Sequence, residues 1–439
     1  MRWPGSASDD GGGRRDRPGR WAWPRWARTA ALLVGLAAFV GLLMTSSQGE
    51  QRSGAPDRPS AKGADIERAS PNTPDRLGFD VAAPAAILVD AGNGQVLFEK
   101  EADQPLHPAS IVKVMTMLVT LDAVKAGHVS LDDPVRISRE AEAMGGSQVY
   151  LAAGETWSLE QLLEAVAIAS ANDAAVAVAE HVAGTERAFV ELMNRRAQAL
   201  GLEHTRFVNS HGLPQDGGED ANLTTAREVA IMARELVTRH PEVLRWTSTR
   251  TKVFREQPRF VMVNTNRLVG AVPGVDGLKT GFTNQAGYSV VATAERDGRR
   301  LIAVVMRTDS DQARVDQTSR LLEFGFRAFR PVVLAIPGEQ VGEVRVRGGQ
   351  PTLLPVRAGG MLYVLTLGGD RRGVTRELVL RDDLAPPIEE GQAVGWVIGV
   401  VDGREVARVE AVAGASVAPV SGAARLWQWI RDLVGSVGR

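Results

Sequence analysis

Residues 288–306 read YSVVATAERDGRRLIAVVM and consist of two apolar runs joined by Asp297-Gly298. Runs rich in valine and isoleucine are typical of strands, and an Asp-Gly pair between them is a strong hairpin signal. We therefore predict strands at 288–294 and 301–306 that pair in antiparallel fashion through a tight turn.

A second pair of strand patterns lies nearer the N-terminus, at 86–90 (AILVD) and 96–100 (VLFEK). Between the two hairpins the pattern is mainly helical, and segments such as 159–183 and 225–238 each open with a Ser or Thr cap. A unit that begins and ends with strands and has helices between them predicts an α+β fold. We expect an antiparallel sheet with flanking helices and a helical lobe over 79–330, with a site between lobe and sheet.

The pattern changes after residue 330. Short alternating strands separated by Gly, Pro or Asp-Gly turns predict a small all-β sandwich domain over 331–415. This segment contains no histidine and no lysine, so we interpret it as a spacer or docking module. Two folded domains agree with the length of 439 residues.

The two ends of the chain carry membrane-type patterns. Residues 1–28 are an arginine-rich n-region, and the uncharged stretch 29–45 is typical of a signal peptide or signal anchor. A buried core helix is the alternative for 29–45. A flexible linker follows at 46–78. At 421–439, two tryptophans and an amphipathic pattern predict a membrane-anchor helix, with packing on its own domain as the alternative. We therefore expect an exported protein.

Composition narrows the function classes. The formal net charge is −1, which gives no global basic surface for nucleic acid. Cysteine is absent, which excludes thiol catalysis and cysteine-bound zinc, and the six histidines are scattered. We expect no cofactor, no metal site and no nucleic-acid partner. Lysine is scarce: the chain has 45 arginines and six lysines.

One lysine follows a serine at helical spacing. Ser110 and Lys113 lie in ASIVKV at the predicted start of a helix, where residues i and i+3 share a face. A serine hydroxyl beside an amine that can lose its proton is a nucleophile–base pair. A surface Ser–Lys pair is the alternative. We interpret His107 and His211 as structural residues.

Two further segments carry small polar or cationic groups. Ser170 and Asn172 lie at the edge of an apolar helical stretch, where they could face a cleft or merely form a cap or turn. Lys279, Thr280 and Gly281 precede a strong strand, where an extended substrate bearing a carboxylate could lie along the backbone. An ordinary hairpin entry is the alternative. The order of the three segments along the chain favours one shared site.

With S-x-x-K, S-x-N and K-T-G in this order, the sequence resembles the penicillin-recognising serine enzymes. It is most similar to the low-molecular-weight penicillin-binding proteins that are D-alanyl-D-alanine carboxypeptidases. The resemblance covers about residues 80–415. It implies a β-lactamase/transpeptidase-like domain followed by the all-β domain, and a bacterial location in the periplasm or at the outer face of the cytoplasmic membrane.

The resemblance also implies a mechanism. Ser110 would attack the carbonyl between the last two residues of a peptidoglycan stem peptide ending in D-Ala-D-Ala. Lys113 would take the serine proton, and Ser170 would relay a proton to the leaving D-alanine. Penicillins and other β-lactams would acylate the same serine.

The same resemblance implies the substrate-binding residues. Asn172 would orient the peptide and hold the catalytic lysine, and Lys279 and Thr280 would bind the terminal carboxylate. Gly281 would let the substrate approach the strand. Phe282 stands where several relatives have histidine, and its N–H would complete the oxyanion hole with that of the nucleophile.

Three alternatives stay open at this point. A D,D-endopeptidase acting on cross-links could use the same site. A serine β-lactamase is disfavoured because the sequence has no E-x-x-L-N loop ahead of K-T-G and has an additional β domain. A non-catalytic cell-wall binding protein is disfavoured because the serine and lysine residues of the three motifs are intact.

Overall fold

The computed structural model describes residues 78–214 and 221–420. The predicted segments 1–28, 29–45 and 421–439, and all of 46–78 except its last residue, lie outside the described residues. Within the described ranges, no helix is both long enough and apolar enough to cross a membrane.

The first domain contains a sheet and the helices around it. Its elements in chain order are β1 (Ala85–Asp90), β2 (Val96–Lys100), a 3₁₀ turn (Ala109–Val112), α1 (Lys113–Lys125), β3 (Pro134–Arg136), α2 (Arg139–Glu142), β4 (Thr156–Ser158), α3 (Leu159–Ile168), α4 (Asn172–Ala183), α5 (Glu186–Ala199), α6 (Ala226–Arg239), α7 (Val243–Thr247), β5 (Thr251–Glu256), β6 (Arg259–Val263), β7 (Val275–Thr283), β8 (Gly287–Arg296), β9 (Arg299–Thr308) and α8 (Asp311–Ala328).

The two predicted hairpins form four strands of the antiparallel sheet β2-β1-β9-β8-β7, and they meet along β1 and β9. The fifth strand, β7, was not predicted, and Lys279–Gly281 lie within it rather than ahead of a strand. At the turn between β8 and β9, Asp297 and Gly298 both have positive φ, as a two-residue hairpin turn requires. Neighbouring residues of β1 point to opposite faces. Ile87 packs into the core formed with α1, α3, α4 and α6, whereas Leu88 packs against α8. Because helices cover both faces, β1 is buried along its whole length and the middle six residues of β8 and of β9 are buried.

Two helix predictions need correction. Residues 159–183 do not form one helix: α3 ends at Ile168 and α4 begins at Asn172. Between them Ser170 takes a φ of 61°, and the N–H of Asn172 bonds to the carbonyl of Ser147 rather than continuing α3. The helix predicted to start around Ser110 begins with a 3₁₀ turn, and α1 itself starts only at Lys113.

The second domain consists of nine strands. They are β10 (Phe329–Ala335), β11 (Gln340–Arg345), β12 (Gly349–Gln350), β13 (Leu353–Ala358), β14 (Leu362–Leu367), β15 (Val374–Leu380), β16 (Ala393–Val401), β17 (Arg404–Ala413) and β18 (Ala418–Pro419). Five of them form the sheet β11-β13-β17-β16-β15, and β10 pairs with β14. Apolar residues from both groups, such as Val364 and Val397, share one core.

Strand β14 also joins the two domains. The buried amide of Gln95 donates to the carbonyl of Leu365 at 2.7 Å and accepts from its N–H at 2.7 Å. The hydroxyl of Tyr363 donates to Asp90 at 2.6 Å. Both partners in the first domain lie at the β1–β2 turn, so the all-β domain is attached at the end of the sheet hairpin.

Candidate active site

Ser110 and Lys113 are brought together as their spacing predicts. Ser110 lies in the 3₁₀ turn, and Lys113 is the first residue of α1. In a 3₁₀ turn the side chains at i and i+3 eclipse each other. The Lys113 Nζ lies 3.1 Å from the Ser110 Oγ, and the lysine is fully buried.

Two further oxygens contact the Lys113 Nζ in the described part of the chain. They are the Asn172 Oδ1 at 2.7 Å and the main-chain oxygen of His211 at 2.6 Å. The Asn172 amide donates its Nδ2 to the carbonyl of Gly145 at 2.7 Å, which orients its Oδ1 toward the lysine. Both oxygens can only accept. A neutral lysine amine has two N–H donors and one lone pair, so these two oxygens occupy the donors and leave the lone pair for the hydroxyl of Ser110.

The surroundings of Lys113 change the pKa of its amine. Burial lowers the pKa of Lys113 to about 7, while the charges of Asp173 and Glu186 oppose that shift. A group with a pKa near 7 can both accept and return a proton at neutral pH. Asp173 is itself buried and accepts from the N–H groups of Val149 and Leu151, so it is fixed beside the lysine.

Strand β7 lies opposite α1 and forms the wall of the site on the other side of the Ser110 turn. A Cβ atom on Gly281 would lie 2.5 Å from the Pro108 carbonyl oxygen and 3.3 Å from the Ala109 Cβ. Only glycine therefore lets β7 approach the 3₁₀ turn this closely. The structure thus gives Gly281 a packing function between the strand and the nucleophile turn.

Two basic side chains, Lys279 on β7 and Arg314 on α8, line this wall. Lys279 is fully buried and donates to the carbonyl of Thr280 at 2.9 Å, and the Thr280 hydroxyl bonds to Thr265 at 2.7 Å. Burial, then Lys113 and Arg314, lower the pKa of Lys279 well below its ordinary value. Cations that destabilise one another in a buried site favour an anionic ligand.

The remaining predicted residues lie beside this site. Ser170 is buried in the link between α3 and α4, two residues before Asn172. Phe282 is 47% exposed and stacks on Tyr288 with ring centroids 4.1 Å apart. The catalytic and binding roles of these residues stay predictions.

Sequence reasoning missed four contributors. Asp173 and Glu186 act on Lys113 by charge, Arg314 donates to the carbonyl of Gly281 at 3.2 Å, and His211 contributes its main-chain oxygen. The acidic residue next to Asn172 could have been noticed in the sequence. The contribution of the His211 main-chain carbonyl could not be predicted from the sequence, because every residue has such a group.

An α+β domain in which a half-buried serine contacts a buried lysine, opposite a strand that carries a second buried lysine, has the fold and site of a penicillin-recognising serine acyl-transfer enzyme. The chain belongs to the D-alanyl-D-alanine carboxypeptidase family, whose model matches residues 68–310. Residues 329–419 match a second model, described as the C-terminal domain of penicillin-binding protein 5. The predicted fold class, family and enzyme class are thereby confirmed.

Individual relatives agree with this assignment. D-alanyl-D-alanine carboxypeptidase DacF of Bacillus subtilis is 37% identical over 328 residues, which cover 74% of this chain and 83% of the relative. Penicillin-binding protein 5 from Haemophilus influenzae superposes with a TM-score of 0.68 at 30% identity, covering 77% of this chain and 98% of that one. Penicillin-binding protein D2 from Listeria monocytogenes in its ampicillin-bound form superposes with a TM-score of 0.52 at 34% identity, covering 57% of this chain and 99% of that one.

Proposed function

We propose that this protein removes the terminal D-alanine from peptidoglycan stem peptides that end in D-Ala-D-Ala, through an acyl-enzyme on Ser110. The observation that carries the proposal is the environment of Lys113. Its Nζ lies 3.1 Å from the serine Oγ, and its other two contacts accept hydrogen bonds only. The lysine therefore serves as the base that a serine nucleophile needs.

The reaction follows from this arrangement. Lys113 takes the hydroxyl proton as the Ser110 Oγ attacks the carbonyl between the two D-alanines. The N–H groups of Ser110 and Phe282 stabilise the oxyanion. The intermediate collapses as the leaving amine receives a proton through Ser170. Water then hydrolyses the ester, with the lysine again acting as the base.

The substrate carboxylate is bound at the wall that β7 forms. Lys279, Thr280 and Arg314 lie on or against β7, and the described structure pairs only Arg314 among these with a carboxylate, that of Asp311. An incoming carboxylate supplies the counter-charge that Lys279 lacks. A buried lysine without a carboxylate partner thus favours a substrate with a free C-terminus, whose carboxylate can pair with it.

The protein works outside the cytoplasm, where peptidoglycan lies. Segments 29–45 and 421–439 provide export and membrane attachment, an assignment supported by their sequence patterns alone. β-Lactams acylate Ser110 because their reactive amide occupies the place of the D-Ala-D-Ala bond.

A labelling experiment tests the proposal. We expect a fluorescent penicillin to label the protein once, with the label mapped to the peptide that carries Ser110. We also expect release of D-alanine from diacetyl-L-Lys-D-Ala-D-Ala, which prior treatment with penicillin blocks. Absence of both reactions contradicts the proposal. Rapid penicillin turnover without D-alanine release indicates a β-lactamase, and cleavage of a cross-linked muropeptide dimer alone indicates an endopeptidase.

The rate of acylation should rise with pH and level off above an apparent pKa of about 7. Only the neutral amine of Lys113 can accept the serine proton, so the rate increases about tenfold per pH unit on the acid side. Stopped-flow acylation by a chromogenic cephalosporin measures this profile. A rate independent of pH, or an inflection near the ordinary lysine value of 10.5, contradicts the assignment of Lys113 as the base.

A further inference from the structure

The segment 209–213 (NSHGL) passes directly beside the catalytic pair. Its His211 carbonyl accepts from the Lys113 Nζ at 2.6 Å and lies 3.5 Å from the Ser110 Oγ. If this carbonyl moved, the lysine would lose one of the two acceptors that orient its lone pair. The position of the segment is therefore part of the geometry of proton transfer.

Glu186, in the first turn of α5, holds the segment from one side. Its Oε1 accepts from the N–H of Ser210 at 2.9 Å and from the Ser210 hydroxyl at 2.6 Å. From the other side, the Thr116 hydroxyl on α1 donates to the Ser210 carbonyl at 2.7 Å. Ser210, which directly precedes His211, is thus held by hydrogen bonds at its N–H, its hydroxyl and its carbonyl.

The ring of His211 faces the same carboxylate. Its Nδ1 accepts from the N–H of Leu213 at 3.1 Å, so the neutral ring carries its proton on Nε2. That nitrogen lies 3.6 Å from the Glu186 Oε1. Burial, and then Lys113, lower the pKa of His211 to about 3, so the ring stays uncharged at neutral pH.

We propose that Glu186 is a positioning residue for the catalytic lysine. It fixes the Ser210–His211 backbone that orients the Lys113 Nζ, and its negative charge holds the proton on that nitrogen more tightly. The inference rests on the proposed function, in which Lys113 is the base. The other charged groups that face Lys113 are Asp173 on α4 and Lys279 on β7. Glu180 on α4 also faces Glu186.

The two effects of Glu186 can be separated by two variants. Glu186→Gln keeps an oxygen that can accept from Ser210 but removes the charge. Its acylation profile should shift to lower pH, raising the rate on the acid side about threefold or more while the plateau changes little. Glu186→Ala also removes the anchor, and its plateau rate should fall about tenfold or more.

The matched control is Glu191→Gln. Glu191 lies on the same helix but is solvent-exposed, with its carboxylate 4.0 Å from Arg195. Its replacement should leave the pH profile unchanged. A purely structural role for Glu186 would lower the plateau of both variants without moving the acid side of the profile, and that result overturns the proposal.

Titration of the lysine side chains by NMR gives a readout that is independent of activity. The chain has six lysines, so ε-¹³C lysine labelling gives few signals, and Lys113→Arg identifies the one from the site. Its titration midpoint should move to lower pH in Glu186→Gln and stay in place in Glu191→Gln. An unmoved midpoint overturns the inference. A moved midpoint in a protein that does not react with penicillin contradicts only the proposed function.

Discussion

Replacing Lys113 with arginine should lower the rate of Ser110 acylation by about 10³-fold or more. Arginine keeps the positive charge and can still donate to Asn172 and to the His211 carbonyl. It cannot lose its proton at any pH at which the protein is folded, so it cannot accept the proton of the serine. The loss should be equal in penicillin labelling and in D-alanine release, since both begin with the same attack.

Two comparisons make this prediction specific. Lys125→Arg, at the exposed end of α1, makes the same chemical change outside the site and should retain wild-type rates. Circular dichroism and the thermal midpoint should show that Lys113→Arg is folded. If Lys113→Arg is acylated within about tenfold of the wild-type rate, the lysine is not the base and the serine is activated in another way.

The parts of the fold that could be predicted are those encoded by local signals. The hairpin of β8 and β9 follows from Asp297-Gly298, because both residues adopt the positive φ that such a turn needs. Ser158 caps α3 through a reciprocal pair of bonds with Gln161, as its sequence pattern indicates. In each case the residues that determine the structure are within a few positions of it.

The proximity of Ser110 and Lys113 was predictable although the type of helix was not. Both α and 3₁₀ geometries bring i and i+3 near one another, so the incorrect helix start did not affect the pairing. For Ser170 the sequence left open a cleft-facing helical position and a cap or turn, and it did not decide between them. The break between α3 and α4 depends on contacts with a distant loop. The Ser147 carbonyl accepts from the N–H of Asn172, and the Val149 N–H donates to the carboxylate of Asp173.

The electrostatics of the site also depend on distant segments. Lys113, Lys279 and Arg314 come from α1, β7 and α8, which meet only in the folded chain. Burial and the proximity of Lys113 and Arg314 lower the pKa of Lys279, and this is the basis of the proposed preference for an anionic substrate group. The lysine-poor composition pointed to the first two residues. The composition could not point to Arg314, because arginine is abundant throughout the sequence.

Replacing Gly212 with alanine should reduce acylation by about 100-fold or more. Gly212 has a φ of +90°, and a Cβ there would overlap the main-chain carbonyl of Ala109 and lie 2.9 Å from the Ser110 nitrogen. The neighbours are backbone atoms and cannot rotate away. Either the 3₁₀ turn with its nucleophile or the adjoining His211 carbonyl must therefore move. The pseudo-first-order rate of penicillin labelling measures the loss.

The control separates this clash from the ordinary cost of a left-handed alanine. Gly201 has a φ of +72°, and a Cβ there would meet nothing within 4 Å. Both substitutions carry a conformational penalty of about 1–2 kcal/mol, but only the one at Gly212 displaces the catalytic backbone. Gly201→Ala should lower the thermal midpoint and keep the wild-type acylation rate. If both variants lose activity equally, the loss reflects general destabilisation, and the close contact between Gly212 and the nucleophile turn is not what positions Ser110.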